Sequence, residues 1–284
     1  MNILLTGATG FIGKNLLPAL EHEGHEVFVL VRPSSNYGEL GANHSIIFSG
    51  DVIHLAQYMQ QNEIDGIIHL ASLYLAEHKP EQIPDLMQSN ICLGTQLLEA
   101  CKMAKVKWFL NTGTIWQNYN VPDYSDGYNP VNLYAASKQA FMTIAKYYTE
   151  TSDICFCTLK LCDTFGPNDT RRKIFALFEQ IAKTGETLDM SPGEQLIDIL
   201  HIDDVVAGFI HLAQMLQENE TLRNEYVLSS GHQVPLRQLA HIYEQRHKVH
   251  LNIKWGKRPY RQREVMKPYV GIVLPGWRAN YRVI

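Results

Sequence analysis

No apolar run in the chain approaches the roughly 20 residues needed to cross a bilayer, so no membrane-spanning segment is expected. Positive charge is not in excess either. The 284 residues carry 25 Lys and Arg against 29 Asp and Glu, a net charge of -4. The chain therefore lacks the basic surface with which nucleic-acid binders displace counterions from phosphates. Cysteine is sparse: Cys92, Cys101, Cys155, Cys157 and Cys162 are odd in number and form no C-x-x-C, the pattern of reduced thiols buried as small hydrophobes. The 12 histidines are scattered without ligand spacing, so no metal site is expected. The opening MNILLTGATG has no basic flank and meets glycine too early for a secretion signal. It reads as part of the mature fold, with the cytoplasm as the expected location. Repeats, low-complexity tracts and obvious flexible linkers are missing as well.

What is present is an alternation. With 45% hydrophobic residues the chain can bury a substantial core. NILLT, EVFVLV, SIIFS, GIIHLA, VKWFLNT and ICFCTLKL are apolar throughout rather than at every second position, as strands are when helices cover both faces of their sheet. Helical patterns separate most of them. The sequence thus predicts an α/β fold, a doubly wound parallel Rossmann sheet with right-handed crossovers. After LCDTFGPND the rhythm changes to a helix over about 171–183, the loop TGETLDMSPGEQL, and a strand and helix through IDILHIDDVVAGFIHLAQML. The tail carries Pro235, Pro259, Pro268 and Pro275. The expected organisation is a dinucleotide-binding domain over 1–165, to which 196–230 return. A smaller C-terminal substrate lobe is formed by 166–195 and 231–284. Such a lobe creates a cleft at the carboxyl ends of the strands, where open α/β sheets bind ligands.

The stretch TGATGFIG sets Gly7, Gly10 and Gly13 between the first strand and the first helix, within a cradle that includes Thr6, Phe11 and Ile12. Gly7 permits the tight turn, Gly10 admits a pyrophosphate to the backbone, and Gly13 allows close helix packing, so an anion meets the helix N-terminus. An NAD-preferring fold carries an acid at the end of its second strand. Here Val31 occupies that position and Arg32 follows, which suits a 2′-phosphate and favours NADPH over NAD. In NLYAASKQAF, Tyr134 and Lys138 share a helix face. A neighbouring ammonium and a nicotinium charge lower a phenol's pKa, so Tyr134 is the expected proton donor, with Lys138 also holding the nicotinamide ribose. Thr112, in FLNTGTIWQ, offers a second donor to a carbonyl that accepts a hydride.

The G-x-x-G-x-x-G spacing, Thr112 and the Tyr134/Lys138 pair, in that order, resemble the extended short-chain dehydrogenase/reductases, the NAD-dependent epimerase/dehydratase family. In that family S-S/T-x-x-V-Y-G ends the fifth strand. Aligning NTGTIWQ on its Ile-aromatic pair implies that Thr112 binds the substrate oxygen, with Thr114 nearby. IIHLAS resembles H-x-A-A behind the nicotinamide, which implicates His69, Leu70, Ala71 and Ser72. Asp51 and Val52, in SGDV, resemble the adenine contact. SNICLGT resembles N-x-x-G-T and brings Asn90 close to the site. LKLCDTFGPND resembles R-x-x-N-V-Y-G-P at the start of the substrate lobe, and ILHIDDV the later H-V-D-D-V. Asp163 replaces the asparagine expected beside the sugar nucleotide, and Ile197 replaces an arginine. Arg258, Arg261 and Arg263 in GKRPYRQREVMKPY are the expected compensation, since forked guanidinium donors match a diphosphate.

Within the family, these motifs most resemble nucleotide-sugar 4-ketoreductases and epimerases, particularly the CDP-abequose and CDP-paratose synthase type. That implies a homodimer using NADPH to reduce a 4-keto-6-deoxy or 4-keto-3,6-dideoxy sugar on a nucleotide such as CDP. Dehydratases of the class carry an Asp-Glu pair after the threonine. Gly113 and Thr114 stand there instead, so elimination is not expected. The alternatives are an NAD-dependent 4-epimerase and, from another class, a non-catalytic dinucleotide sensor. Known sensors on this fold tend to lose the tyrosine, which this chain retains.

Overall fold

The computed structural model describes residues 1–281 except 36, 39, 42, 43 and 221. Its strands are β1 (Asn2–Thr6), β2 (Glu26–Val31), β3 (His44–Ile47), β4 (Gly66–His69), β5 (Trp108–Thr114), β6 (Cys155–Leu161), β7 (Asp163–Phe165), β8 (Leu188–Met190), β9 (Leu196–His201), β10 (Glu225–Leu228), β11 (Gln233–Pro235) and β12 (Ile253–Trp255). The helices are α1 (Phe11–His22), α2 (Val52–Gln61), α3 (Ile83–Met87), α4 (Leu93–Ala104), α5 (Leu133–Thr151), α6 (Ile174–Thr184), α7 (Ile202–Gln217) and α8 (Leu236–His247). A π-helical turn, Gln88–Cys92, joins α3 to α4.

The main sheet is parallel, in the order β3-β2-β1-β4-β5-β6-β10. Side chains alternate across a strand, and here both faces are apolar. Ile3 and Leu5 enter the core under α1 and α7, with Leu16, Leu20, Phe209 and Leu212. Leu4 and Phe28 enter the opposite core under α2, α4 and α5, with Leu55, Leu97 and Phe141. That is why the strand sequences show no polar alternation. Each fully buried Leu contributes roughly 1.5–3 kcal/mol relative to exposure. The chain order reverses between β1 and β4, and the crevice at their carboxyl ends is where such sheets take ligands.

The lobe has its own core of Phe178, Ile181, Val234, Leu236, Leu239 and Leu251. It carries a sheet of order β11-β9-β7 and the parallel pair β8/β12. The strand over 196–201 pairs with β7 and β11, so the chain rejoins the large sheet at α7 and β10, later than the expected return at 196. The tail also departs from expectation: Tyr269, Leu274 and Trp277 pack in the main core rather than in the lobe. Asp204 anchors that return. Its carbonyl accepts the Trp277 indole N–H at 3.0 Å, and its carboxylate accepts the Asn280 and Tyr281 amides at 2.9 and 3.0 Å. The end of the expected lobe, 282–284, lies outside the described residues. The helix expected over 171–183 begins at Ile174, because Arg171 folds back onto Asp169 and Thr164 and Lys173 becomes the N-cap. Among the described residues no helix is long and apolar enough to cross a membrane.

Candidate active site

The glycine turn is built for close approach. Gly7 has φ +75°, and a Cβ there would lie 2.7 Å from the Ala71 amide nitrogen. A Cβ on Gly13 would lie 2.3 Å from the Gly7 carbonyl oxygen, so α1 can start flush against β1 only with glycine there. Gly10 is the N-cap and provides no side-chain cap for the first amides of α1, which, with the positive end of the helix dipole, face the groove. Thr6 secures the neighbouring strand end: its hydroxyl is hydrogen-bonded to His69 Nδ1 at 2.8 Å and accepts the Ala71 amide at 3.2 Å. Burial holds His69 neutral, with its pKa lowered to about 3 and the Lys138 charge acting in the same direction.

Three elements bring the catalytic candidates together. Thr112 lies two residues before the end of β5, and its buried hydroxyl has no hydrogen-bond partner among the described residues. Beyond it, Gln117 accepts the Thr114 amide at 3.0 Å and donates to Gln139 on α5 at 2.7 Å, which ties this turn to the Tyr134 helix. That helix is N-capped by Asn132, whose side-chain Oδ1 accepts the Ala135 amide at 2.9 Å. Asn90, aimed inward by the π-helical turn, bonds both Leu73 backbone groups and donates to Ser137 at 2.9 Å. Tyr134 lines the groove together with Thr112, Ser72, Gly7 and Gly10.

Burial raises the Tyr134 phenol to about 12, and two features oppose it, the Lys173 charge and a hydrogen bond with the Ser72 side chain. The opposing cation is therefore Lys173, where the sequence pointed to Lys138. Lys138, only 2% exposed, has its own pKa lowered to about 8 by burial.

A second, larger cleft of about 1110 Å³ opens between sheet and lobe, and Tyr74, Trp116, Asp163 and Lys173 line both spaces. Lys173 Nζ lies 2.9 Å from Asp163 Oδ1 and 4.7 Å above the Tyr74 ring. Tyr74 in turn packs edge-on against Tyr134, with centroids 5.1 Å apart. Arg258 and Arg261 line this cleft, and Arg261 also pairs with Glu77 at 3.4 Å. Arg263 instead bonds Asn129 and lies 4.5 Å over the Tyr119 ring.

The remaining candidates lie at the sheet's far edge. Arg32 is exposed after β2, and Asp51 caps α2 by accepting the His54 amide at 3.0 Å, with Val52 beginning that helix. The five cysteines are free; Cys101, Cys157 and Cys162 are buried, and Cys92 is exposed on the π-helical turn. Among the described residues no group of three or more His, Cys, Asp or Glu is placed to hold a metal. Sequence reasoning missed Tyr74, Trp116, Arg171 and Lys173. The basic run Arg171-Arg172-Lys173 before an apolar helix was the available signal for the last two.

An open parallel sheet that reverses order beside a glycine turn defines a Rossmann-type fold. The bare amides, the cradle that a Cβ would fill and the unpartnered Thr112 hydroxyl fit a dinucleotide with a carbonyl compound beside it. Residues 3–228 match the NAD dependent epimerase/dehydratase family, and the chain belongs to that family. CDP-abequose synthase of Salmonella muenchen is 27% identical over 99% of this chain and 94% of its own length. UDP-glucuronate 4-epimerase 2 of Arabidopsis thaliana is 26% identical over 73% of this chain and 53% of its own length. The structure of UDP-glucose-4-epimerase from Stenotrophomonas maltophila, with bound NAD and formylated UDP-arabinopyranose, matches all of this chain and 94% of that one. Its TM-score is 0.85 at 18% identity.

Proposed function

We propose that the protein reduces the 4-keto group of a nucleotide-linked 6-deoxy or 3,6-dideoxy sugar, CDP-linked by preference, with NADPH. The reading extends to a cytoplasmic homodimer. The observation that carries it is the unpartnered Thr112 hydroxyl in the same groove as Tyr134 and the glycine turn. The near-full-length likeness to a CDP-abequose synthase supports the substrate class. Thr6, Gly7, Gly10, Phe11, Ile12 and Gly13, with Arg32, Asp51, Val52, Leu70, Ala71, Ser72, Asn90, Tyr134 and Lys138, hold or flank the dinucleotide. Asp163, Thr114, Arg258, Arg261 and Arg263 serve the sugar nucleotide.

When bound, the dinucleotide supplies the hydride. Thr112 donates a hydrogen bond to the carbonyl oxygen, which otherwise has to carry developing negative charge in a dry groove. Tyr134 delivers the proton to that oxygen. Lys173 stabilises the phenolate left behind, and Lys138 holds the nicotinamide ribose. Gly113 and Thr114 carry no acid or base that removes water from the ring.

The test is stoichiometry. The protein, given a 4-keto-6-deoxy or 4-keto-3,6-dideoxy sugar nucleotide, is expected to oxidise one NADPH per alcohol formed. A 4-epimerase uses the same residues, and the likeness to a plant 4-epimerase favours it as the second reading. Inversion of a 4-hydroxy sugar nucleotide without added cofactor, with tightly held NAD released on denaturation, would establish that reading instead. Cofactor choice is tested separately. Arg32→Ala is expected to weaken NADPH by about 1.5–3 kcal/mol, the scale of a hydrogen bond to a charged group, and to leave NADH nearly unchanged in titrations. Equal loss for both would mean that Arg32 only shapes its loop.

A further inference from the structure

The loop between β7 and α6 carries an arginine from the lobe to the glycine turn. The Arg171 guanidinium carbon lies 4.1 Å from the centroid of the Phe11 ring, and Phe11 is the first residue of α1. Both side chains line the groove that contains Gly7, Gly10 and Gly13. The guanidinium is fixed in place. Nε donates to Asp169 Oδ1 at 2.7 Å, and Nη2 donates to Asp169 Oδ2 at 2.7 Å and to the Thr164 carbonyl and hydroxyl oxygens at 3.0 Å each. Nη1 takes part in none of these bonds, and the side chain remains 33% exposed. No acidic side chain occupies the first turn of α1. A planar, permanently charged fork held over an aromatic ring beside bare helix amides is suited to a diphosphate.

Building on the dinucleotide reading above, we propose that Arg171 is a ligand for the cofactor's diphosphate, contributed by the substrate lobe to a site otherwise made by the sheet. Asp169 orients the fork. The segment that carries Arg171 also carries Asp163 and Lys173 into the larger cleft, so cofactor and sugar nucleotide meet one continuous piece of backbone.

Calorimetric titration of the full chain with NADPH and with ADP-ribose, which keeps the diphosphate and lacks the nicotinamide, tests this without turnover. Arg171→Met is expected to raise the dissociation constant of both ligands about tenfold or more, as for loss of charge-assisted hydrogen bonds. The loss shrinks as salt is added. Arg171→Lys, which keeps the charge without the fork, falls between. Asp169→Asn keeps the cation but loosens the fork, and is expected to weaken affinity by less than Arg171→Met. If Arg171 only staples its loop, Arg171→Met and Asp169→Asn lower the melting temperature alike and change affinity alike, and the assignment is overturned. Failure of the unaltered chain to bind either ligand overturns the dinucleotide reading, and the assignment of Arg171 with it.

Discussion

Replacing Tyr134 with Phe is expected to lower turnover of the keto sugar nucleotide by roughly 10²- to 10⁴-fold, the usual contribution of a positioned general acid. Dinucleotide affinity should stay within about twofold of the original, because the near-isosteric change keeps the ring in place. The ring is retained, so its edge-on packing against Tyr74 persists and only the hydroxyl is lost. Burial holds that hydroxyl protonated across the neutral range, with its pKa raised to about 12, so it starts the cycle with a proton to give. Delivering that proton leaves a phenolate in a desolvated groove, which is where the opposing Lys173 charge matters. A variant that keeps half the turnover in a steady-state assay would remove Tyr134 from the proton-transfer step.

The second large effect falls on the cofactor cradle. A Cβ on Gly13 would meet the Gly7 carbonyl oxygen at 2.3 Å and Ala8 Cα at 2.5 Å, both backbone atoms that cannot swing aside. Gly13→Ala therefore has to push α1 off β1, with a stability loss of about 1–3 kcal/mol, the scale of overpacking. Dinucleotide affinity falls with it, because the amides of the first turn are displaced. Gly38→Ala is the control: among the described residues nothing lies within 4 Å of a Cβ there, and urea denaturation should find it within about 0.5 kcal/mol of the original. Equal midpoints and equal NADPH affinities for the two variants would show that the turn tolerates a side chain.

The sheet was legible because burial on both faces leaves a local mark. Each of the six apolar runs became a strand of the large sheet, while β10, four residues set between polar segments, carried too little pattern to be read as its seventh. Thr112, Tyr134 and the glycine turn stand at strand ends and on one helix, so short-range spacing locates them. Tyr74, Arg171 and Lys173 come from loops whose approach depends on how the lobe folds back, and no local period encodes that path. Asp51 shows the opposite limit. Its carboxylate caps a helix by accepting the His54 amide, a structural task that the resemblance to an adenine contact did not bring out.

The path of the chain between its two cores bears on how the molecule assembles. It leaves the large sheet after β6, comes back at α7, leaves again after β10 and returns with Tyr269. Four lengths of backbone thus join the two bodies, and the smaller core draws on residues as far apart in sequence as Phe178 and Leu251. Most of its cohesion comes from non-local pairs, the kind that form late because loop closure has to precede the contact. The lobe therefore cannot mature as an autonomous unit during synthesis. Its core closes only once α8 and Leu251 have joined Phe178, and the cleft, which Leu236, Leu239 and Tyr243 of α8 line, is complete only then.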